Sequence, residues 1–201
     1  MATKNRFWYF LKEYLNCIFA FPEKNLIMKI LDLEFKPYID RSEILLKVRK
    51  MAESINLDYK DKDPLFLSIL NGSFIFTADL LREINVQSQI SFIKLSSYSQ
   101  VTSTGKVKEL IGLNDNVFNR NLIIIEDIID SGLTLQHVRA ALEDLGAASV
   151  EIATLFLKPE SFHKGFDIKY VGFSIPNNFI VGYGMDYEGF GRNLPDVYIN
   201  E

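Results

Sequence analysis

The chain has 201 residues, 48% of them hydrophobic and 24% charged, which is the balance of one globular domain rather than a disordered segment. With 22 basic and 26 acidic residues the formal charge is −4, which leaves no basic excess to favour a nucleic acid as the main partner. The single cysteine, Cys17, excludes an intramolecular disulfide and is typical of a reducing compartment, so we expect a cytoplasmic location.

The N-terminal residues 1–27 carry an amphipathic pattern. Large apolar residues from Phe7 to Ile18 recur at helical spacing, and a charged pair interrupts them. The run is too short for a membrane span, which takes roughly 20 apolar residues. We expect an N-terminal extension, a helix that packs on the domain or on a second subunit, followed by a domain at 28–201. A membrane-surface role for the helix and a start of translation at Met28 are the alternatives.

From residue 38 onward the pattern alternates between helix and strand periods. Asp40 and Glu43 have the spacing of a capping box, which predicts the start of a helix. This alternation predicts a parallel α/β sheet with ligands at the carboxyl ends of its strands. The predicted elements are a helix after Asp40, strands at 65–70, 90–95, 122–125, 150–157, 169–173 and 179–183, a helix around 76–84, and a helix from Thr134 that ends before Gly146 with Leu145 facing inward.

The strand at 122–125 leads into the segment EDIIDSGLT, residues 126–134. At the start of a helix, backbone N–H groups are unsatisfied and the helix dipole adds positive charge. Gly132 lets the backbone approach an anion closely, while Ser131 and Thr134 offer hydroxyl donors. These features predict a phosphate-binding loop.

Three acids in the same segment indicate what the phosphate is attached to. Glu126 and Asp127 would repel a phosphate, but they suit sugar hydroxyls and a divalent cation. The predicted ligand is therefore a phosphorylated sugar. The alternative is a polar turn in which Asp130 merely caps the helix.

The segment 126–134 resembles the phosphoribosyl diphosphate signature of type I phosphoribosyltransferases, and residues 28–199 resemble the hypoxanthine-guanine branch of that family. The resemblance implies an α/β fold, a parallel twisted sheet flanked by helices, with a small hood region. It implies that Glu126 and Asp127 hold the ribose 2′- and 3′-hydroxyls and that Asp130 is the general base near the purine N7. The residues implied to wrap the 5′-phosphate are Asp130, Ser131, Gly132, Leu133 and Thr134.

Two further segments resemble loops of the same family. Asn71 and Gly72, in LNGS, match its diphosphate loop, where a strained peptide presents backbone N–H groups; alone, Asn-Gly predicts only a turn. Ser97 and Tyr98, in a long polar stretch, match the mobile loop that closes over the site near the diphosphate. A solvated surface hairpin is the alternative for that stretch taken alone.

The segment FIVGYGMDYEGFGR, residues 179–192, resembles the purine-site strand and loop of this branch. The resemblance implies that Phe179 stacks on the purine and that the Ile180 backbone reads the edge of the base. It also implies that Asp186 binds Mg²⁺, directly or through water, and that Arg192 meets the diphosphate.

Lys158 follows a predicted strand and matches the lysine that donates to the purine 6-oxo group in this branch, although a strand-end lysine usually faces solvent. The implied reaction transfers the phosphoribosyl group from phosphoribosyl diphosphate to hypoxanthine, guanine or both, giving IMP or GMP and diphosphate. Mg²⁺ is the implied cofactor, and a homodimer or homotetramer is the implied assembly. The candidate metal ligands are Glu126, Asp127 and Asp186.

Other functions remain open at this point. A transferase of the same fold could use xanthine, adenine, uracil or orotate, although a lysine donor suits a carbonyl group and not the amino group of adenine. A non-catalytic regulator could bind nucleotide or RNA, against which the negative charge and the retained Asp130 argue. An adaptor could act mainly through residues 1–27.

Overall fold

The computed structural model describes residues 27–95, 110–111, 113, 115–162 and 165–200. The predicted extension, except Ile27, and the predicted closing loop with Ser97 and Tyr98 lie outside the described residues. Within the described ranges, no helix is long and apolar enough to cross a membrane.

The described residues form ten strands and three α-helices. The helices are α1 (Arg41–Asp58), α2 (Phe74–Glu83) and α3 (Leu133–Asp144). The strands are β1 (Met28–Ile30), β2 (Leu33–Ile39), β3 (Leu65–Leu70), β4 (Gln89–Leu95), β5 (Leu110–Ile111), β6 (Asn121–Ile129), β7 (Ser149–Leu157), β8 (Tyr170–Ser174), β9 (Ile180–Val181) and β10 (Val197–Ile199).

The larger sheet has six strands in the order β5-β4-β3-β6-β7-β8. Five of them run parallel, and β5 pairs antiparallel with the outer edge of β4. This confirms the predicted parallel α/β sheet. The connection after β3 leads to β4 on one side, whereas the connection after β6 leads to β7 on the other side. A crevice therefore opens between the carboxyl ends of β3 and β6, the usual ligand site in such sheets.

Helix α1 begins where the sequence predicts, and α2 and α3 begin two residues and one residue before the predicted positions. At the start of α1, the backbone N–H of Glu43 donates to the Asp40 carboxylate at 3.1 Å, as the capping box predicts. Helix α3 begins at Leu133, directly after Gly132. The prediction that Leu145 faces inward was wrong, because α3 ends at Asp144 and Leu145 is 52% exposed.

The apolar run of β6 is continuous because the strand contributes side chains to two cores. Ile123 and Ile125 belong to the core between the sheet and helices α1 and α2, whereas Leu122 and Ile124 belong to the core beneath α3. All four side chains are fully buried. Both faces of the strand are therefore covered, which is typical of a central parallel strand.

The smaller sheet is antiparallel, with strand order β1-β2-β10-β9, and corresponds to the expected hood. Its own core comprises Ile30, Phe35, Val181 and Tyr198. Only β9 was predicted as a strand, and it is shorter than the predicted 179–183. Strands of two or three residues, as in β1, β9 and β10, leave too little alternation for a sequence pattern to identify.

Candidate active site

Two loops flank the crevice between β3 and β6. Pairing of β3 with β6 stops at Ser68 and Ile125, whereas β6 and β7 remain paired as far as Ile129 and Leu157. Strand β6 therefore includes Glu126 and Asp127, which were predicted to follow the end of the strand. Its last four residues extend past the part of β3 that is paired with β6.

Glu126 and Asp127 lie in this extension with their carboxylates largely removed from water. Oε2 of Glu126 is buried and accepts no hydrogen bond from any described residue. Burial, and then the charge of Asp127, raise the pKa of Glu126 well above its ordinary value. Burial also raises the pKa of Asp127 to about 6, although its own backbone N–H, that of Ile128 and the charge of Arg192 act in the opposite direction. Two desolvated acids side by side favour a cation or hydroxyl donors as partners.

The loop after β3 contacts Asp127 closely. Its peptide bond between Leu70 and Asn71 is cis. A Cβ atom at Gly72 would overlap the carboxylate of Asp127. A Cβ atom at Gly184, where φ is +104°, would overlap the Gly72 carbonyl. The predicted diphosphate loop, the β6 extension and the loop after β9 therefore meet at Gly72.

The predicted phosphate loop turns directly into α3. Gly132 is the N-cap, with a φ of +74° that favours glycine. The backbone N–H of Leu133 lies 3.5 Å from the Ser131 hydroxyl, and the side chains of Ser131, Leu133 and Thr134 are exposed. The start of α3 and two hydroxyl groups thus face solvent, as an anion site requires.

Asp130 does not cap α3 but pairs with Lys158. Nζ of Lys158 donates to Oδ2 of Asp130 at 3.1 Å. The backbone N–H of Lys158 also donates to the carbonyl of Ile129 at 2.9 Å, so the β6–β7 ladder continues to this point. Only 7% of Lys158 is exposed, which contradicts the ordinary expectation for a strand-end lysine.

Arg192 and Asp186 form a second pair, in which Nη2 of Arg192 lies 2.5 Å from Oδ1 of Asp186. The other oxygen of Asp186 accepts from the backbone N–H of Gly189 at 2.7 Å. Nη1 of Arg192 donates to the carbonyl of Gly184 at 2.7 Å. Arg192, which is predicted to bind the diphosphate, therefore contacts Asp186, which is predicted to bind the metal. The charges of both residues influence the pKa of Asp127.

Phe179 and Ile180 lie on the hood. The Phe179 ring is 44% exposed and packs edge-on against Tyr187, with ring centroids 5.7 Å apart. Tyr187 donates its hydroxyl hydrogen bond to Asp32 at 2.7 Å. Ile180 is paired with Ile199 of β10 on one side, and β9 is the outer strand of its sheet. Among the described residues, no strand pairs with the other side of β9.

Seven of the sixteen predicted site residues lie at three places in the structure. Gly72, Asp127, Asp186 and Arg192 are linked by contact or charge, Asp130 is paired with Lys158, and Phe179 stands on the hood. Sequence reasoning did not identify Gly184, Tyr183 or Tyr187. The alternation of glycine and tyrosine at 182–184 was the available signal, because it indicates unusual backbone geometry.

In the described part of the chain, no three His, Cys, Asp or Glu side chains converge to hold a metal ion by themselves. Glu126, Asp127 and Asp186 therefore do not form a complete metal site, and their assignment stays a prediction. The unpaired oxygen of Glu126 and the raised pKa of Asp127 nevertheless fit a cation that takes its other oxygen ligands from a substrate or water.

Comparisons with known proteins agree with this arrangement. A model of the phosphoribosyl transferase domain matches residues 38–188. A hypoxanthine-guanine phosphoribosyltransferase of Streptococcus mutans is 42% identical over 163 residues, covering 81% of this chain and 91% of that protein. A hypoxanthine phosphoribosyltransferase of Buchnera aphidicola is 42% identical over 165 residues, covering 81% and 93%. The crystal structure of a hypoxanthine-guanine phosphoribosyltransferase from Bacillus anthracis, with HEPES in its active site, matches at a TM-score of 0.77 and 37% identity, covering 87% of this chain and 99% of that chain. The chain belongs to the type I phosphoribosyltransferase family, in its hypoxanthine-guanine branch.

Proposed function

We propose that the protein transfers the 5-phosphoribosyl group of phosphoribosyl diphosphate to hypoxanthine, guanine or both, forming IMP or GMP and diphosphate. The observation that carries this proposal is the 3.1 Å pair between Lys158 and Asp130 at the carboxyl ends of two neighbouring strands. The names of the relatives in Streptococcus mutans and Buchnera aphidicola support the same reaction.

The pair suits the acceptor because a 6-oxopurine carries its 6-oxo oxygen and its N7 side by side. The ammonium of Lys158 is a hydrogen-bond donor only, and the carboxylate of Asp130 is an acceptor when ionised. Lys158 can therefore bind the 6-oxo group while Asp130 accepts or shares the N7 proton. Adenine would present its 6-amino group to a second donor, which disfavours it.

Phe179 and Ile180 complete the acceptor site in this proposal. The half-exposed ring of Phe179 offers an apolar surface for stacking on the base. Backbone groups of Ile180, on an edge strand of its sheet, would meet the far edge of the purine. Backbone contacts there would accept either hypoxanthine or guanine.

The donor site uses the two loops at the crevice. Backbone N–H groups and hydroxyls of residues 130–134 would hold the 5′-phosphate. Glu126 and Asp127 would hold the ribose hydroxyls, which gives the buried Oε2 atom a hydrogen-bond donor. The close approach of Gly72 would bring backbone N–H groups to the diphosphate, with Arg192 as its cation.

Mg²⁺ is the proposed cofactor. Glu126, Asp127 and Asp186 would hold it together with substrate oxygens and water, which is the coordination that Mg²⁺ prefers. When bound, Mg²⁺ offsets the negative charge that develops on the departing diphosphate. Both oxygens of Asp186 already accept hydrogen bonds or pair with Arg192, which favours contact with the ion through water.

The protein's own residues are proposed to align the substrates, accept the proton and exclude water. Binding base and sugar in line lowers the entropic cost of the displacement at ribose C1. Asp130 takes up or shares the purine proton as the new glycosidic bond forms. Ser97 and Tyr98 are proposed to close over the site and exclude water, which would otherwise hydrolyse the activated sugar.

A panel of bases tests the proposed function. The protein is incubated with phosphoribosyl diphosphate and Mg²⁺, and diphosphate release is measured with hypoxanthine, guanine, xanthine, adenine, uracil and orotate. Hypoxanthine or guanine should support turnover, whereas adenine, uracil and orotate should not. Turnover with adenine or orotate alone would contradict the assignment of Lys158 to a 6-oxo group.

We further propose that residues 1–27 are an extension added to a complete catalytic domain at 28–201. The match to the Bacillus anthracis chain supports this, since 87% of this chain suffices to cover 99% of that one. Removing 1–27 should leave catalysis unchanged; loss of assembly or localisation in the truncated chain would assign the extension its role.

The proposed assembly is a homodimer or homotetramer in the cytoplasm. Large exposed apolar side chains such as Phe74 and Phe92, 43% and 45% exposed, are candidates for burial between subunits. Light scattering on the purified chain measures the assembly size directly. A monomer at working concentration would contradict this part of the proposal.

A further inference from the structure

Tyr183 has an unusual position in the loop after β9. It lies between Gly182 and Gly184, and the φ angles of the three residues are +100°, +49° and +104°. A positive φ is uncommon for a residue that carries a side chain. The Tyr183 ring is nevertheless only 1% exposed, among the largest fully buried side chains of the described residues. Packing of this ring therefore holds the loop in a conformation that the backbone alone would not favour.

The Tyr183 hydroxyl reaches a helix that lies 104 residues earlier in the chain. It donates to Oδ2 of Asp79 at 2.7 Å. Oδ1 of Asp79 accepts from Nη1 of Arg82, also at 2.7 Å. Burial, and then the hydrogen bond to Asp79, raise the pKa of the Tyr183 phenol above its ordinary value, so it remains a donor at neutral pH.

Asp79 and Tyr183 each belong to a segment next to a loop that is proposed to bind substrate. Asp79 lies on α2, which begins at Phe74, directly after the diphosphate loop. At the other end, Gly184 contacts the carbonyl of Gly72, and its own carbonyl accepts from Arg192 at 2.7 Å. The loop that carries Tyr183 thus bridges the predicted diphosphate-binding groups and the strand that offers the purine site.

We propose that Tyr183, through its hydrogen bond to Asp79, is a positioning residue that fixes the purine-site loop against the diphosphate loop and so sets the distance between the two substrates. The proposal rests on the proposed phosphoribosyl transfer. Each substrate contacts its own loop, so loss of the bond should change the alignment of the two substrates more than the affinity for either one. A misplacement of about 1 Å can cost roughly 100-fold in rate.

The test replaces Tyr183 by phenylalanine, which keeps the ring and removes only the hydroxyl group. The single-turnover rate of nucleotide formation is measured alongside the dissociation constant for the Mg²⁺ complex of phosphoribosyl diphosphate. In Y183F the rate should fall about 10- to 100-fold while the dissociation constant changes by less than about 3-fold. Asp79→Ala should match Y183F, and the double variant should lose no more than either single variant. Asp79→Asn, which keeps an acceptor oxygen, should restore most of the rate.

Tyr170 provides a matched control. Its hydroxyl donates to Oδ2 of Asp58 at 2.7 Å, and its ring is 5% exposed, but it joins β8 to α1 away from the crevice. Y170F should lower the thermal midpoint to a similar extent as Y183F without changing the single-turnover rate.

Failure of the positioning role and failure of the proposed function give different results in these measurements. Wild-type rates in Y183F, or equal rate losses in Y183F and Y170F, would overturn the positioning role alone. A parallel loss of rate and donor affinity in Y183F would also overturn it, because this would indicate a damaged donor site. Absence of nucleotide formation by the wild-type chain would overturn the proposed function, and the inference with it.

Discussion

The ammonium group of Lys158 lies 3.1 Å from the carboxylate of Asp130, although 28 residues separate them in the chain. They meet because the strands before them, β6 and β7, end at Ile129 and Leu157, which face each other in the ladder. The Lys158 side chain is 9% exposed and that of Asp130 is 58% exposed. The buried ammonium depends on a negative partner, whereas the acid remains open to a ligand.

Asp130→Asn should lower the turnover number by roughly 10²- to 10⁴-fold, the usual scale for a lost acid–base group. An amide can still hydrogen-bond to the purine N7 position but cannot take up its proton. Steady-state rates with hypoxanthine measure the effect, and Asp144→Asn, an exposed acid near the end of α3, is the control. Near wild-type turnover in D130N would contradict the general-base role but not a role in binding.

Lys158→Ala should weaken binding of 6-oxopurines far more than binding of phosphoribosyl diphosphate, because only the base contacts the ammonium. Titration calorimetry with each substrate measures the two affinities. Lys169→Ala is the matched control, since Lys169 also pairs with an aspartate, Asp58 at 3.0 Å, but on the outer part of the sheet. Equal losses for both substrates in K158A would count against the assignment to the base.

Gly72→Ala should reduce catalytic efficiency at least about 100-fold and destabilise the fold by about 1–3 kcal/mol, as overpacking does. The added Cβ atom would overlap the Asp127 carboxylate, so the diphosphate loop must move. Gly165→Ala is the control, because a Cβ atom there would meet nothing within 4 Å. Kinetics and urea unfolding of both variants measure the effects. Unchanged efficiency in G72A would show that this close approach is not needed.

The stability of the metal-free protein should depend on pH through Asp127. Its pKa is raised from 3.8 to about 6, so between these values the folded chain keeps a proton that the unfolded chain has lost. The free energy of unfolding attributable to Asp127 is therefore highest at low pH and falls as pH rises from about 4 to 6. The free energy of unfolding falls by about 3 kcal/mol in total as Asp127 ionises. The raised pKa of Glu126 should also make the folded chain less stable as pH rises.

Urea unfolding between pH 4 and 8 in the presence of EDTA tests this dependence. Asp127→Asn should remove part of the decline and be more stable than wild type at pH 8, while losing affinity for phosphoribosyl diphosphate. Asp144→Asn should follow the wild-type curve. Identical pH profiles for D127N and wild type would contradict the desolvation of Asp127.

The sequence was sufficient to predict five of the six strands of the larger sheet, but not β5, because the signals for those five are local. The capping box at Asp40, the continuous apolar run before Glu126 and the glycine at 132 each determine their own element. The resemblance implied a hood, but of its strands only β9 was predicted. Strands β1 and β10 have three residues each and are stabilised by pairing with β2, which lies far from β10 in the sequence. Leu145 was misjudged because the helix ends one residue earlier.

For the site, residue types could be predicted but pairings could not. The sequence supplied Lys158 and Asp130 only by resemblance, since their contact depends on the register of two strands. The bond between Tyr183 and Asp79 joins residues 104 positions apart, and the contact of Gly184 with Gly72 depends on three positive φ angles. Such relationships come from tertiary packing, which no local pattern encodes.

Direct product analysis tests the central claim. The purified chain is incubated with hypoxanthine, phosphoribosyl diphosphate and Mg²⁺, and the nucleotide and diphosphate are quantified together. IMP and diphosphate should form in equal amounts, and neither product should exceed background when adenine replaces hypoxanthine. Absence of nucleotide with both hypoxanthine and guanine, or diphosphate release without nucleotide, would contradict it.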